Sequence, residues 1–313
     1  MKKINSAAAG QAAAVGGKSL GQRIMDNWQL YAMLLIPVVL TFIYKYIPMY
    51  GIQIAFRDFK ANRGYWGSEW VGLEWFQRFF SAPNCGRMIR NTVLLSLYSL
   101  LWSFPIPIIL ALMINQVRFK RFKRTVQTVL YAPHFISIMV VCGMIRIFLS
   151  PSGGLINLIA GTSIDFLTEA SMFRTIYIAS GIWQDAGWGI IIYMATLANI
   201  DTSQYEAAKI DGASKFQRIL NIDIPELIPI IVLQLIMSAG GLMNVGFEKV
   251  FLLQTDLNKA TSDVIAVYVY QQGIENAKYS YSTAVGLFNT AVNIVLLIVV
   301  NKIANKLSDV SFV

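Results

Sequence analysis

Two indole rings and a carboxylate lie close together in the apolar segment 174–198. They belong to Trp183, Asp185 and Trp188, and Asp185 and Trp188 fall on one face of a helix. Indole faces stack on the apolar faces of pyranose rings, and a carboxylate accepts hydroxyl hydrogen bonds, so this set could line a sugar pathway. An aromatic belt at the membrane surface is the alternative for the tryptophans. An ionisable group within a span favours a function for Asp185.

Small and hydroxylic residues recur at helical spacing in three other apolar segments, so each set marks one helix face. The sets are Ser96, Ser99 and Ser103; Gln234, Ser238 and Gly241; and Gly286, Asn289 and Asn293. Such stripes usually pack membrane helices together, because small residues permit close approach and polar ones bond across the interface. A pathway lining is the alternative. Asn289 and Asn293 favour it most, since amides pair with sugar hydroxyls.

Four further residues near the predicted outer ends of the spans are candidates for the substrate path. Lys45 and Arg146 can extend their charges to the lipid headgroups. If they face a cavity instead, they favour an anionic substrate. Asn244 and Glu248 lie where the fifth apolar segment leaves the membrane, and this position predicts an outer gate.

The loop between the fourth and fifth apolar segments is polar and regularly built. Ser203 stands three residues before Glu206, a capping-box spacing that predicts the start of a helix. Ser214 stands three residues before Gln217 and predicts a second start. Gly212 lies between them, where two successive short helices need a bend with φ > 0. The sequence therefore predicts two short helices joined at Gly212.

The same loop, residues 201–225, has the features of a docking surface. Ala207 and Ala208 carry little side-chain bulk, so another protein can approach the backbone of the first helix closely. Pro225 marks the entry to the next membrane helix.

Composition places the chain in a membrane. Its 313 residues are 56% hydrophobic and 14% charged, too few charges to cover a soluble globule of this length. Six apolar stretches approach the length that crosses hydrocarbon. They cover residues 30–50, 92–114, 126–149, 174–198, 227–246 and 283–300.

Cationic residues predict the orientation. Five cations between Arg118 and Arg124 favour the cytoplasm for the loop between spans two and three, which places both termini and loop 201–225 on the cytoplasmic side. Residues 1–27, rich in Ala and Gly, predict a mobile cytoplasmic tail. The formal charge of +9 reflects topology and attraction to lipid headgroups, and nucleic acid is a poor explanation for it.

Cofactor motifs are weak. Gly16-Gly17-Lys18-Ser19 suggests a phosphate loop, yet Ala12 stands where that motif needs Gly, so we expect no ATP site in this chain. Two cysteines and one histidine give no metal cluster and no disulfide framework, and we expect no metal or catalytic site.

The spacing of loop 201–225 resembles the EAA loop of the permease subunits of ABC importers, in which Glu-Ala-Ala, a later Gly and a terminal Pro recur. The matching residues are Glu206, Ala207, Ala208, Gly212, Ile222 and Pro225, with Ile224 where the family more often has Leu. The resemblance implies the type I importer permease fold over residues 28–313. That fold is all-α, a polytopic bundle of about six membrane helices with a cytoplasmic coupling-helix loop.

The resemblance extends over nearly all the chain after the tail. Trp28 to Pro37, Tyr46-Ile47-Pro48, Phe56-Arg57-Asp58-Phe59 and Tyr131-Ala132-Pro133 look like the subgroup that imports oligosaccharides from complex or uronic-acid polysaccharides, such as pectin and alginate. It implies an oligosaccharide substrate, which we expect to be acidic.

The resemblance also implies the partners. They are a second, related permease that is expected to form a heterodimer with this chain, two cytoplasmic ATPase subunits that bind ATP and Mg²⁺, and an extracytoplasmic solute-binding protein. The chain itself is then no enzyme, and it lies in the bacterial cytoplasmic membrane.

Three alternatives remain open: an ABC permease for another solute, an ion-coupled secondary transporter, and a membrane scaffold or receptor. Secondary transporters tend to show inverted repeats and intramembrane acids. Here no inverted repeat is evident and Asp185 is the main intramembrane acid. A scaffold predicts no solute flux.

Overall fold

The computed structural model describes residue 21, residues 25–241, Met243 and residues 245–307. The predicted tail, residues 1–27, lies almost wholly outside this range. Helices dominate the described residues, and the one sheet among them is a two-stranded antiparallel pair of β1 (Arg57–Asp58) and β2 (Glu69–Trp70). The all-α class is therefore confirmed. The chain divides into two compact units, and the boundary in the sequence lies between Gln53 and Ile54.

The first unit contains a long apolar helix. Helix α1 (Trp28–Thr41) continues through a π-helical turn (Phe42–Tyr46) into a 3₁₀ helix (Ile47–Phe56). The whole stretch Trp28–Phe56 is long and apolar enough to cross a membrane. Lys45 lies in the π turn, and its side chain is exposed.

Three more helical stretches meet the same criteria of length and composition. Helices α3 (Cys85–Ser103) and α4 (Pro105–Asn115) form one of them. Another, Lys215–Gly240, joins α10 (Lys215–Arg218), a π turn (Ile219–Asp223) and α11 (Ile224–Gly240). The last is α15 (Tyr279–Leu307), whose apolar part is Tyr279–Lys302.

A bent pair of helices stands where the third span was predicted. Helix α5 (Lys120–Tyr131) and a 3₁₀ turn (Ala132–Phe135) meet α6 (Ile138–Phe148) at an angle of 97°, and together they could form a fifth span. The break follows Pro133, which has no N–H to continue the helical ladder.

Helix α8 (Phe173–Ala198) covers the predicted fourth span. Its 26 residues are long enough to cross hydrocarbon, but it is not among the sufficiently apolar helices. The reason is its own sequence, since Gln184 and Asp185 interrupt the apolar run.

The remaining helices are short. They are α2 (Glu74–Phe80), α7 (Leu155–Ala160), α9 (Thr202–Ile210), α12 (Phe247–Leu253), α13 (Lys259–Ser262) and α14 (Ile265–Tyr270), the last followed by a π turn (Gln271–Glu275).

The fifth span begins earlier than predicted. We expected residues 227–246, but the helix already runs from Lys215, through Pro225, and ends at Gly240. Pro225 cannot donate to the carbonyl of Asn221, and its ring crowds that carbonyl. Pro225 lies in the first turn of α11, but the wider π turn just before it accommodates the ring and continues the helix back to α10. Part of the predicted loop is therefore helix.

Helix α8 packs against the central helices of the second unit, including α3, α4, α5 and α11. A buried cluster near its end contains Ala111, Ile114, Ile190, Tyr193, Leu197, Ile200, Ile222 and Leu227. Glycine permits the closest approach. A Cβ atom at Gly187 would lie 1.8 Å from the carbonyl oxygen of Leu130 in α5, and one at Gly189 2.9 Å from Pro107 in α4.

Gly187→Ala is therefore expected to destabilise the bundle by about 1–3 kcal/mol, because the Cβ forces backbone apart. Thermal unfolding of the purified protein in detergent measures this. Gly143→Ala in α6 is the matched control, since a Cβ there meets nothing within 4 Å. It should leave the midpoint unchanged or raise it, because alanine favours a helix by about 0.5–1 kcal/mol. Equal midpoints for the two variants would contradict this packing.

Candidate functional site

Two of the three polar stripes converge on one cavity. The cavity has a volume of about 350 Å³ and is lined by both stripes. One side has Ser96, Ser99 and Ser103 of α3, and the other has Gln234 and Ser238 of α11 and Gly241, which follows that helix. Tyr177, Gly189 and Tyr193 of α8 also line it, and apolar groups of Leu100, Phe104, Pro107 and Val245 complete the wall. Hydroxyl, amide and apolar groups thus line an open cavity among α3, α4, α8 and α11.

A second cavity of about 540 Å³ adjoins the first, with which it shares Ser99, Ser103, Tyr177 and Gly246. It contains the charged groups. Asp185 and Glu248 line it, and so does Lys249. Both predicted acids therefore face this cavity.

Lys249 is buried beside Tyr177. Its Nζ donates to the Tyr177 carbonyl oxygen at 2.9 Å and lies 4.9 Å from the centre of the Tyr177 ring. Sequence reasoning missed this lysine, because its partner is 72 positions away. The cation enters the lining of the second cavity with its charge partly compensated by a carbonyl and an aromatic face.

His134 joins the predicted aromatic set. Its Nδ1 lies 2.9 Å from Asp185 Oδ1, and its ring stacks on Trp188 with 4.5 Å between ring centroids and 10° between planes. Phe135 meets the edge of Trp188. One face of Trp188 is thus covered by protein, and Trp183 is half-exposed elsewhere on α8. The imidazole fixes Asp185 at the break between α5 and α6.

Asn289, Asn293 and Arg146 are not among the residues that line these two cavities. Asn293 Oδ1 accepts from the Met243 backbone N–H at 2.8 Å, and Asn289 Nδ2 donates to the Met243 carbonyl at 3.5 Å. Arg146 donates to the Leu252 carbonyl. Asn244 lies outside the described residues. The roles of these residues and of Lys45 in a substrate path stay predictions.

Loop 201–225 contains the two predicted short helices, α9 and α10. Gly212 has φ +75° and follows α9. Its N–H donates to the Lys209 carbonyl at 3.2 Å, while the Ala213 N–H donates to the Ala208 carbonyl at 2.8 Å. These two bonds form a Schellman motif, which requires a left-handed residue at the position of Gly212. The predicted bend at Gly212 is confirmed.

The predicted cap of α9 is wrong. Asp201, and not Ser203, is the N-cap: its carboxylate accepts from the Ser203 N–H at 2.9 Å. A charged acceptor also interacts favourably with the helix N-terminus, so it caps better than a hydroxyl two residues later. Hydrogen bonds from Ser203 hold the pKa of Asp201 below its usual value. At Ser214 the predicted capping box with Gln217 is present.

Helix α9 has distinct inner and outer faces. Tyr205 and Ala208 pack against the buried cluster around Leu197, whereas Glu206 and Ala207 are exposed. Two apolar side chains of the same loop, Ile210 in α9 and Phe216 in α10, are also exposed, at 87% and 68%. Sequence reasoning overlooked this apolar pair.

Family comparison agrees with this architecture. Residues 87–309 match the family described as binding-protein-dependent transport system inner membrane component. The chain belongs to this family. It is a multi-pass inner-membrane protein and the permease subunit of an ABC importer, as the EAA spacing predicted.

Two relatives from Bacillus subtilis (strain 168) cover most of the chain. Protein LplB is 44% identical over 286 residues, spanning 90% of this chain and 89% of the relative. The polygalacturonan/rhamnogalacturonan transport system permease protein YteP is 40% identical over 296 residues, spanning 93% and 92%.

Solved structures show the same fold. A chain of a bacterial ABC transporter involved in the import of the acidic polysaccharide alginate superposes with a TM-score of 0.84 at 40% identity, covering 92% of this chain and 99% of that one. A complex of the bacterial alginate transporter with an alginate pentasaccharide-bound periplasmic protein gives 0.84 at 39% identity, covering 93% and 99%. The type I importer permease fold is therefore confirmed.

Ser99→Leu is expected to lower solute uptake severalfold, because Ser99 lines both cavities and a larger apolar side chain removes volume and a hydroxyl from each. Thr290→Leu makes a similar change on an exposed position of α15 and is the control. Uptake into cells or vesicles that contain equal amounts of each variant is the measurement. Normal uptake with Ser99→Leu would show that solute avoids these cavities.

Proposed function

We propose that this subunit imports an acidic oligosaccharide of the pectin or alginate type. The observation that carries the proposal is the pair of adjoining cavities among α3, α8 and α11, lined by serines, Gln234 and tyrosines. Such groups exchange hydrogen bonds with sugar hydroxyls without requiring one fixed charge pattern. The relatives for polygalacturonan and alginate support the acidic class.

The charges of the second cavity suit a carboxylated sugar. Lys249 offers a cation, and His134 binds one oxygen of Asp185, so that carboxylate repels an anion less than a free one would. Glu248 lies beside Lys249 in the chain and lines the same cavity. A cation flanked by acids can bind a uronate weakly enough to release it.

Two cytoplasmic ATPase subunits drive the transport and hold ATP and Mg²⁺. We place one of them on the outer face of α9 and α10, where Glu206 and Ala207 lie beside the exposed side chains of Ile210 and Phe216. An exposed apolar pair with a polar rim is typical of a protein interface. This assignment puts loop 201–225 and both termini in the cytoplasm, in agreement with the cations around α5.

A second, related permease completes the pathway, and we infer a heterodimer. A periplasmic protein delivers the sugar, in keeping with the pentasaccharide-bound complex of the alginate transporter. ATP binding closes the ATPases, and α9 transmits that closure to the spans as a rigid-body movement. ATP and the loaded binding protein each bind the inward-facing and outward-facing states with different affinities. These differences set the direction of the conformational change.

The substrate class is tested with the complex that copurifies with this chain, reconstituted with its binding protein. Trigalacturonate and an alginate pentasaccharide should stimulate ATP hydrolysis, and neutral maltotriose should not, because the cavity cation has no partner on a neutral sugar. Stimulation by maltotriose alone would overturn the acidic assignment. Absence of any copurifying ATPase under mild extraction would overturn the importer complex itself.

Glu206→Lys and Gly212→Pro should each abolish coupled uptake while insertion in the membrane persists. The first reverses a charge on the docking face, and the second forces φ near −65° where the loop needs +75°. Glu169→Lys and Gly153→Pro are matched controls, since Glu169 is exposed and Gly153 has φ +81° outside this loop. Uptake that falls equally in the controls would argue against a docking role.

A further inference from the structure

A fully buried carboxylate joins the coupling loop to the spans. Asp223 is 0% exposed and ends the π turn that precedes α11. Its Oδ2 accepts a hydrogen bond from Gln116 Nε2 at 3.0 Å. Its Oδ1 accepts one from the hydroxyl of Tyr205. Three elements therefore meet at one side chain: α9 through Tyr205, the end of α4 through Gln116, and α11 through Asp223 itself.

The donors at this site are neutral. None of the ion pairs among the described residues includes Asp223. A buried carboxylate is strongly destabilising unless its oxygens are hydrogen-bonded, because a charge loses its hydration on leaving water. Its two bonds are charge-assisted and hence stronger than bonds between neutral groups. Removing either donor leaves a buried oxygen unsatisfied, so the arrangement strongly favours one position of α9.

Tyr205 is suited to the donor role. Burial, and then the hydrogen bond to Asp223 and its charge, raise the pKa of Tyr205 above its usual value, so the phenol keeps its proton. On α9 it points inward, while the next residue, Glu206, is exposed on the outer face. The residue that faces the proposed ATPase and the residue that holds the spans are thus neighbours on one short helix.

We propose that Asp223 is a positioning residue, which fixes α9 to α4 and α11 so that displacement of the coupling helix moves both spans together. The inference rests on the proposed function, since it needs an ATPase seated on α9. The π turn explains how the carboxylate reaches the site, because the extra residue in that turn shifts the side chains around the helix axis. Ile114, Ile222 and Leu227 belong to the buried cluster against which Tyr205 packs.

Tyr205→Phe and Asp223→Leu test the proposal in the complete reconstituted complex. Each should lower the uptake per ATP hydrolysed by about tenfold, the factor that corresponds to one charge-assisted hydrogen bond. ATP hydrolysis should continue and become less dependent on the loaded binding protein. The double variant should lose no more than Asp223→Leu alone, because both changes break the same link. Additive losses, or coupling unchanged in Tyr205→Phe, would overturn the proposal.

Asp223→Asn is the rescue. If the Gln116 amide turns over, an asparagine can accept from Tyr205 and donate to Gln116, so both links survive without the charge. Coupling should stay within about threefold of the parent, since neutral bonds are weaker than charge-assisted ones. A loss as large as in Asp223→Leu would overturn the positioning role of Asp223, because the two hydrogen bonds would then not be sufficient for coupling.

Glu226→Gln is the control, because it removes an exposed carboxylate one turn further along α11 and should leave coupling unchanged. The amount of copurified ATPase and the unfolding midpoint separate positioning from simple misfolding. Both should be retained in Tyr205→Phe while coupling falls. If the unsubstituted complex hydrolyses ATP without transporting trigalacturonate or alginate pentasaccharide, the proposed function fails. If instead the unsubstituted complex transports them and every variant keeps normal uptake, the positioning role of Asp223 fails.

Discussion

A polar group inside the hydrocarbon has no water to bind, so each one needs a partner within the protein. Several long polar side chains of the second unit follow this constraint. Gln184 donates to the Ile136 carbonyl at 3.0 Å, and Arg146 donates to the Leu252 carbonyl. Both acceptors lie where a helix starts or ends, and such carbonyls are the ones that lack partners within a helix. Long polar side chains therefore join the breaks of the bundle to neighbouring helices.

The same constraint separates what could be predicted from the sequence from what could not, because a polar group's partner can lie far away in the chain. Apolar length and the local signals of Gly212 and Ser214 depend on nearby residues, and the class of fold, the bend and the second cap followed from them. Hydrogen-bond partners that are distant in sequence could not be predicted in this way. His134 and Asp185 are 51 positions apart, and Tyr205 and Asp223 are 18 apart. Periodicity gives the face of one helix but never the group that it meets.

The errors have local physical causes. Ser203 and Asp201 both offer an oxygen near the start of α9, and spacing alone favoured the serine because a glutamate followed at the capping-box position. The charge of Asp201 decides between them. Pro225 was predicted to mark the entry to the fifth span, and it does lie in the first turn of α11. What was missed is the π turn before it, which continues the helix back to α10 and delivers Asp223 to its buried site.

The serine stripes raise the question of packing or pathway, and the cavity between two of them favours a pathway for those two. Small residues that pack helices bring the backbones together, as Gly187 does against Leu130. At Ser99 and Ser238 the residues are as suited to close packing, yet about 350 Å³ remains between the helices. A space of that size with hydroxyl walls holds water, because each water finds polar partners there. An acidic sugar entering it would exchange those bonds for its own, whereas Asn289 and Asn293 are bonded to the backbone of Met243.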